Sequence, residues 1–362
     1  MILSDLIKTL EEIAPLRFAE AWDNVGLLVG DPAQAVSKVL LTIDYTAAVA
    51  AERHREGCDC VIAYHPPIFD AIKRLTRGGV IFDAIRDGVA IYSPHTAIDI
   101  AEGGTNDMLA DVLGLKDRTP LRLTETKASQ YKLVSFVPEE DLERVSAALF
   151  EAGAGRIGAY SRCSFRSAGT GTFFGEAGAN PTVGQSGKFE QAAEVRLETV
   201  MPIGRVPAIL AALRRSHPYE EPAFDLVQLA AAPEKPGQGR IGTMKSTERV
   251  ELFARIKREL GLEHLLIAGP TEGPITSAAC CAGSCGEMLN DALEKQAGLF
   301  LTGEMRHHDA LKAAERGMTV VCTGHSNSER PVLQRLAARL RQKLPALQFI
   351  ISRKDHDPFL IC

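Results

Sequence analysis

The chain has 362 residues, 45% hydrophobic and 24% charged, with a formal net charge of −5. This length exceeds the usual span of one domain and allows full apolar cores without disulfides. The charges are interspersed, no basic stretch is dense enough for a nucleic-acid or anionic-membrane surface, and no apolar run approaches the ~18 residues of a membrane span.

In chain order, MILSDLIKTLEEIAPL reads as an amphipathic helix capped by Ser4 and not as a signal peptide. Residues 38–43, 60–63 and 89–92 are short apolar runs of buried-strand type, with helical patterns at 46–56 and 78–87 between them. That alternation predicts βαβ units and a largely parallel sheet. After the polar TETKASQ, a strand is expected at 131–137, then a helix opened by Pro138 and Glu139. The Gly-rich stretch 153–187, with GTGTFFGEAG and NPTVGQSGK, lacks a phosphate-loop pattern and reads as a surface loop. A strand at 193–202, a helix at 206–216 and a strand at 224–229 follow, the pattern of a split βαβ, ferredoxin-like unit. AAPEKPGQGRIG at 231–242 reads as an exit linker. Strands return at 276–282, 299–302, 319–322 and 347–351. The expected organisation is an α/β domain in two parts, 1–124 and 241–362, with an inserted α+β domain at 125–240.

The cysteines are Cys58, Cys60, Cys163, Cys280, Cys281, Cys285, Cys322 and Cys362, most of them in apolar runs. They read as reduced thiols of a reducing compartment, which places the protein in the cytoplasm. Cys281 and Cys285 have no matching second pair, so no zinc knuckle is expected.

Five of the nine histidines share one structural address, just past one of four strands. CVIAYHPPIF places His65 there; VAIYSPHTAID places His95, with Asp99 four residues on. FLTGEMRHHDAL brings Glu304, His307 and His308, and VVCTGHSNSER brings His325, with Glu329 four residues on. Open α/β sheets bind ligands outside the carboxyl ends of their strands. On a starting helix His325 and Glu329 face the same way, offering one nitrogen and one carboxylate. Imidazole with carboxylate suits Zn, Fe, Mn, Co or Ni, one or two ions per chain. His54, His217, His264 and His356 are read as ordinary turn or core residues.

YHPPIF, SPHTAID with GGTND after it, and GHSNSER resemble the motifs of the dinuclear metal-centre hexameric protein family, whose members often carry the name GTP cyclohydrolase 1 type 2 homologue. The likeness covers the chain outside the insert. The insert, ending in HPYEEPAFDL, is similar to the trimeric cation-tolerance (CutA) and PII-type proteins. The resemblance implies a cytoplasmic homo-hexamer of two stacked trimers and metal ligands His65, Asp99, His325 and Glu329. Where the family has a first histidine of a pair, this chain has Tyr64, as in the eukaryotic-type YHPPIF variant. A phenol of ordinary pKa near ~10 is a poor ligand, so one of the two ions is expected to be weak, absent, or completed by His95 or His308, with Tyr64 and Glu304 as neighbouring or variant ligands.

The leading expectation is a metal-dependent hydrolase acting on a small molecule, a nucleotide or phosphoester, with His95, His307 or His308 as catalytic candidates. The alternative is a non-catalytic metal-binding regulator or scaffold, since relatives have been linked to transcriptional partners.

Overall fold

The computed structural model describes residues 1–123, 130–229 and 237–360. Most of TETKASQ, the first half of the expected exit linker and Cys362 lie outside the described residues. The chain divides into two compact units, residues 1–124 with 235–362, and residues 125–234.

In the first unit, β1 (Gly26–Val29), β2 (Lys38–Thr42), β3 (Cys60–Ala63) and β4 (Ala90–Ser93) belong to one sheet, while β5 (Lys116–Leu123) edges another. The second unit holds β6 (Gln130–Val137), β7 (Phe165–Phe174), β8 (Phe189–Pro202) and β9 (Phe224–Gln228). The first unit then resumes with β10 (Gly237–Glu248), β11 (Leu266–Ala268), β12 (Pro274–Ser284), β13 (Leu299–Glu304), β14 (Thr319–Cys322) and β15 (Gln348–Ile351).

The first sheet has the order β1-β4-β3-β2-β15, parallel except for β1. Every residue of β3 and β4 is buried, which explains their continuous apolar runs: helices cover both faces of a parallel sheet. On one face the helix Leu3–Ile13 sets Leu3, Leu6 and Leu10 against Leu333, Leu336 and Leu340 of the helix Val332–Lys343. Ser4 does not cap the first helix. The cap position is Ile2, without a side-chain bond, and the free N–H groups of Leu3 and Ser4 donate instead to the carbonyls of Gln34 and Pro32, at 2.8 and 2.9 Å.

The second sheet has the order β11-β14-β13-β12-β10-β5, with β12, β13 and β14 parallel and the others antiparallel. One expectation changes here. The stretch read as an exit linker through 242 is from Gly237 onward the strand β10, paired with both β12 and β5. Its glycines permit crowding: a Cβ at Gly237 would lie 2.2 Å from the Arg122 carbonyl oxygen and one at Gly242 2.5 Å from that of Lys116. The last strand, β15, joins the first sheet beside β2 and not the sheet of its neighbours.

The second unit is an antiparallel sheet of order β7-β8-β6-β9 backed by the helices Leu142–Glu151 and Val206–Ser216, the ferredoxin-like arrangement. The Gly-rich stretch is not wholly a loop, because β7 pairs with β8 from Phe165 to Phe174. Its glycines hid the strand from a propensity reading. No helix among the described residues is long and apolar enough to cross a membrane.

Leu123 and Gly237 face each other across the β5–β10 ladder, so a turn of a few residues can join them. A chain in which such a turn replaces residues 125–234 is expected to unfold cooperatively in a thermal melt followed by circular dichroism. Carrying the deletion on through 240 removes ladder bonds of β10 and is expected to lower the midpoint or abolish the transition.

Candidate metal centre

The ends of β3 and β4 in the first sheet and of β12 and β14 in the second line one cleft. His65 lies two residues beyond β3 and its N–H still donates to the Ile43 carbonyl at 3.0 Å, so the sheet ladder fixes its backbone. Its Nδ1–H donates to Asp44 Oδ1 at 2.9 Å, which turns Nε2 inward. His325 opens the helix His325–Glu329 after β14, and its Nδ1 pairs with Glu304 Oε1 at 3.0 Å. Glu329 sits one turn later and is only 3% exposed. Its Oε2 lies 3.2 Å from His65 Nε2 and its Oε1 3.4 Å from His325 Nε2. His65, His325 and Glu329 each offer a ligand atom, all within 4.8 Å of one another.

The backbone must come unusually close to seat this carboxylate. Gly283, at the end of β12, has φ +61°, and a Cβ there would stand 2.6 Å from Glu329 Oε1 and 3.4 Å from His325 Nε2. A Cβ at Gly303 would meet the Gly283 carbonyl at 2.6 Å and Ser328 Oγ at 2.9 Å. Ser328 Oγ in turn accepts from the Gly283 N–H at 2.8 Å and donates to the His325 carbonyl at 2.7 Å.

The electrostatics fit a cation. His65 Nε2 and Glu329 Oε2 are buried, face each other, and neither makes a hydrogen bond of normal geometry among the described residues. Burial opposes a charge on His65, but the hydrogen bond to Asp44 and the close negative charges of Asp44 and Glu329 outweigh it and raise its pKa to about 10. The hydrogen bond from His65 holds the Asp44 carboxyl below its ordinary range. A carboxylate on Nδ1 that aims Nε2 is the usual support of a metal-binding imidazole. Two such imidazoles and a buried carboxylate suit a transition-metal ion.

Asp99 lines the same cleft but stands outside the trio. It accepts a very short hydrogen bond from the Tyr64 hydroxyl, which is also 3.2 Å from Thr105 Oγ1. Burial, then the Glu329 charge, push the Asp99 carboxyl up to about 6 against the hydrogen bonds it receives. Burial, Asp99 and Glu329 raise the Tyr64 phenol further, so Tyr64 is a neutral donor to Asp99. GGTND has a structural part in this: a Cβ at Gly104 would meet the Ile98 carbonyl oxygen at 1.8 Å. Asn106 donates to the Asp99 carbonyl at 2.9 Å and accepts from the Ala282 N–H of β12 at 2.9 Å. One buried amide thus ties the Asp99 helix to the second sheet.

His95 has the same construction as the other two imidazoles. Its Nδ1 pairs with Asp23 Oδ1 at 2.8 Å, while Asp23 Oδ2 accepts from the N–H and hydroxyl of Thr96 at 3.1 and 2.5 Å. Burial works against the Asp23 charge, yet these bonds to His95 and Thr96 lower its pKa. His95 has a φ of +22°, an unfavourable value for a residue with a side chain, and the Asp23 fork holds it there. The His65 ring centroid lies 5.3 Å from that of His95 and 5.4 Å from that of His325.

His307 and His308 do not reach the cleft. Both are exposed at the start of the helix His307–Glu315, edge to face with each other at 5.3 Å. Position after a strand did not suffice, because Met305 and Arg306 carry the chain past the cleft rim before the helix begins. Asp23 and Asp44 were missed. Asp44 had a legible signal, as it follows β2 just as His65 follows β3; Asp23 lies before β1, at no strand end.

Fold and site together define an α/β protein with an imidazole–carboxylate cluster, of a composition able to hold a metal ion, at the carboxyl ends of strands from two sheets. The chain belongs to the Duf34/NIF3 (NGG1p interacting factor 3) family, whose model matches residues 1–358. It is 36% identical to a GTP cyclohydrolase 1 type 2 homolog of Halalkalibacterium halodurans, over 98% of this chain and 97% of that one. Among solved structures, a Bacillus cereus protein related to NIF3 aligns at 31% identity and TM-score 0.70, covering 100% of this chain and 99% of that one. The Staphylococcus aureus protein SA1388 aligns at 26% identity and TM-score 0.80 with the same coverage.

A raised pKa on His65 means that the metal-free chain carries a proton there at pH 7, and a bound cation must expel it. Calorimetry of Zn binding in buffers of different ionisation enthalpy is expected to show release of about one proton at pH 7, with affinity rising between pH 6 and 9. The Asp44–His65–Glu329 pairing itself stabilises the metal-free fold below pH ~6.5 and is lost as pH climbs toward 10. Tyr64→His is expected to raise the metal content per chain in elemental analysis, because imidazole is the better neutral donor. An unchanged content would show that position 64 shapes the pocket without limiting the ions.

Proposed function

We propose that this protein is a divalent-metal-dependent hydrolase of a small molecule, with a nucleotide or related phosphoester as its substrate class. One observation carries the reading: the buried, unbonded His65 Nε2 and Glu329 Oε2 face each other on the wall of an open cavity of about 440 Å³. A purely structural ion has no need of an adjoining space that a ligand can fill. His65, His325 and Glu329 would hold the ion, which when bound supplies Lewis acidity and a water nucleophile near neutral pH.

The protein's own groups supply the rest. His95 lines the cavity, is not in the metal trio, and has Nδ1 fixed by Asp23, so its Nε2 is available to carry a proton to or from a bound substrate. Trp22 and Phe69 line the same cavity, are 61% and 53% exposed, and have ring centroids 6.0 Å apart. Exposed aromatic faces beside a cation site suit a substrate with a planar ring, which favours a nucleotide over a simple phosphodiester. The enzyme-like name of the relatives points the same way but is theirs. Assembly as a homo-hexamer belongs to this proposal and rests on the family resemblance alone.

The test begins with stripped protein reloaded separately with Zn, Mn, Fe, Co or Ni and screened on nucleotides and phosphodiesters. Glu329→Gln is expected to lose both metal and turnover. His95→Gln is expected to keep the metal and lose turnover by ~100-fold or more. A protein that binds metal yet turns over nothing in the panel with any ion would favour a non-catalytic metal-binding regulator.

A further inference from the structure

The second unit contains a larger cavity, about 610 Å³, made wholly from its own residues. In β6 and β8 the side chains of Leu133, Val137, Val195 and Leu197 point to the helices. With a period of two, Phe136, Glu194 and Arg196 stand on the opposite face of the sheet. Register places Ser167 of β7 beside Arg196 and Gly169 beside Glu194 on that face. The two glycines of β7 leave the floor open. At Gly171 a Cβ would lie 2.1 Å from Glu194 Oε2, so the Glu194 carboxylate lies flat across the strand where any other residue would displace it.

The cavity also has a pinned cover. The Asn180 N–H donates to Glu220 Oε1 at 3.0 Å, and Thr182 Oγ1 donates to the Pro218 carbonyl at 2.9 Å, which joins the loop after β7 to the HPYEEP segment. His217 fixes that segment through both ring nitrogens. Its Nε2 meets the Phe136 carbonyl at 3.0 Å and its Nδ1 accepts from the Tyr219 N–H at 3.1 Å. Tyr219 then places its buried hydroxyl beside the Glu194 carboxylate. Burial, with Glu194 beside it, raises the Tyr219 phenol well above its ordinary pKa, so it is a neutral polar group.

The charges of this lining are one-sided. Glu176, Glu194, Glu220 and Glu221 all border the cavity, and among the described residues Arg196 is its one lining cation. That guanidinium is already engaged, with Nε 2.9 Å from Glu198 Oε1 and Cζ 5.7 Å from the Phe136 ring centroid. Phe136, Phe173 and Tyr219 supply aromatic surface. A cavity of this volume takes a small organic molecule, and aromatic rings beside uncompensated carboxylates attract a cation.

We propose that the inserted unit is a binding module for a small organic cation, an ammonium or amidinium group on an aromatic or apolar body. The cationic head meets Glu194 and Tyr219, and the body lies over Gly169 and Gly171 against Phe173. Nothing in this site draws on the metal cleft, so the two are independent.

Phenethylammonium and neutral phenethyl alcohol, titrated calorimetrically into the full chain, test it. One phenethylammonium per chain is expected, with the alcohol weaker by at least ~10-fold, the loss of one charge-assisted hydrogen bond. Glu194→Gln is expected to erase that preference, and Phe173→Ala to weaken both ligands, with the thermal midpoint and metal content as checks on folding. Equal affinity of the two ligands for the unaltered chain, absence of saturable binding, or full charge preference in Glu194→Gln would each overturn the proposal. So would light scattering with cysteine cross-linking through Ser167→Cys that placed a second copy of the chain over this face.

Discussion

A carboxylate kept from water and left without a hydrogen bond is the constraint on which the outer unit turns. Burying an anion is costly unless a positive charge meets it. Glu329 Oε2 has only His65 Nε2 before it, and that imidazole is held by Asp44 from behind. In the metal-free chain a proton on His65 balances the charge; a divalent ion does so more completely. The geometry that suits a proton on His65 is thus the geometry that would suit a metal ion between His65, His325 and Glu329.

That geometry comes from the glycines around it. Gly283 and Gly303 let β12 and β13 run against the helix that bears His325 and Glu329. Gly104 does the same beneath Asp99, and Asn106 spans from the Asp99 carbonyl to β12. A side chain at Gly283 or Gly303 would push away the helix that bears His325 and Glu329, and one at Gly104 would push on the end of the helix that bears Asp99. The ligands are thus set by backbone contact, and their side chains need few rotamer choices of their own.

Much of this was legible in the sequence, and for a definite reason. Strands buried on both faces leave unbroken apolar runs, so β3 and β14 could be placed by pattern alone, and the histidines beyond them inherited a position. The i, i+4 spacing of His325 and Glu329 needed only helix geometry. What failed was whatever depended on partners far along the chain. β10 looked like a linker because its glycines serve close strand packing, and β7 looked like a loop because glycine keeps the face above it clear. Asp23 supports His95 across 72 positions, which no local pattern records. His307 and His308 show the opposite error, a correct local address with the chain leading away from the cleft.

The place of β15 has a consequence for how such a chain is made. β2 lacks its outer neighbour until β15 arrives, and the buried Asp355 carboxylate that accepts from the Ile43 N–H at 2.7 Å lies 312 positions later. The strand ladders of the inserted unit, by contrast, pair no residues further apart in sequence than Tyr131 and Gln228. On a ribosome the insert can fold while the first sheet waits with an open parallel edge, a slow and aggregation-exposed arrangement. The cation cleft then closes late, after both flanks have emerged. Any factor that shields nascent strands would act on this protein between the appearance of β4 and that of β15.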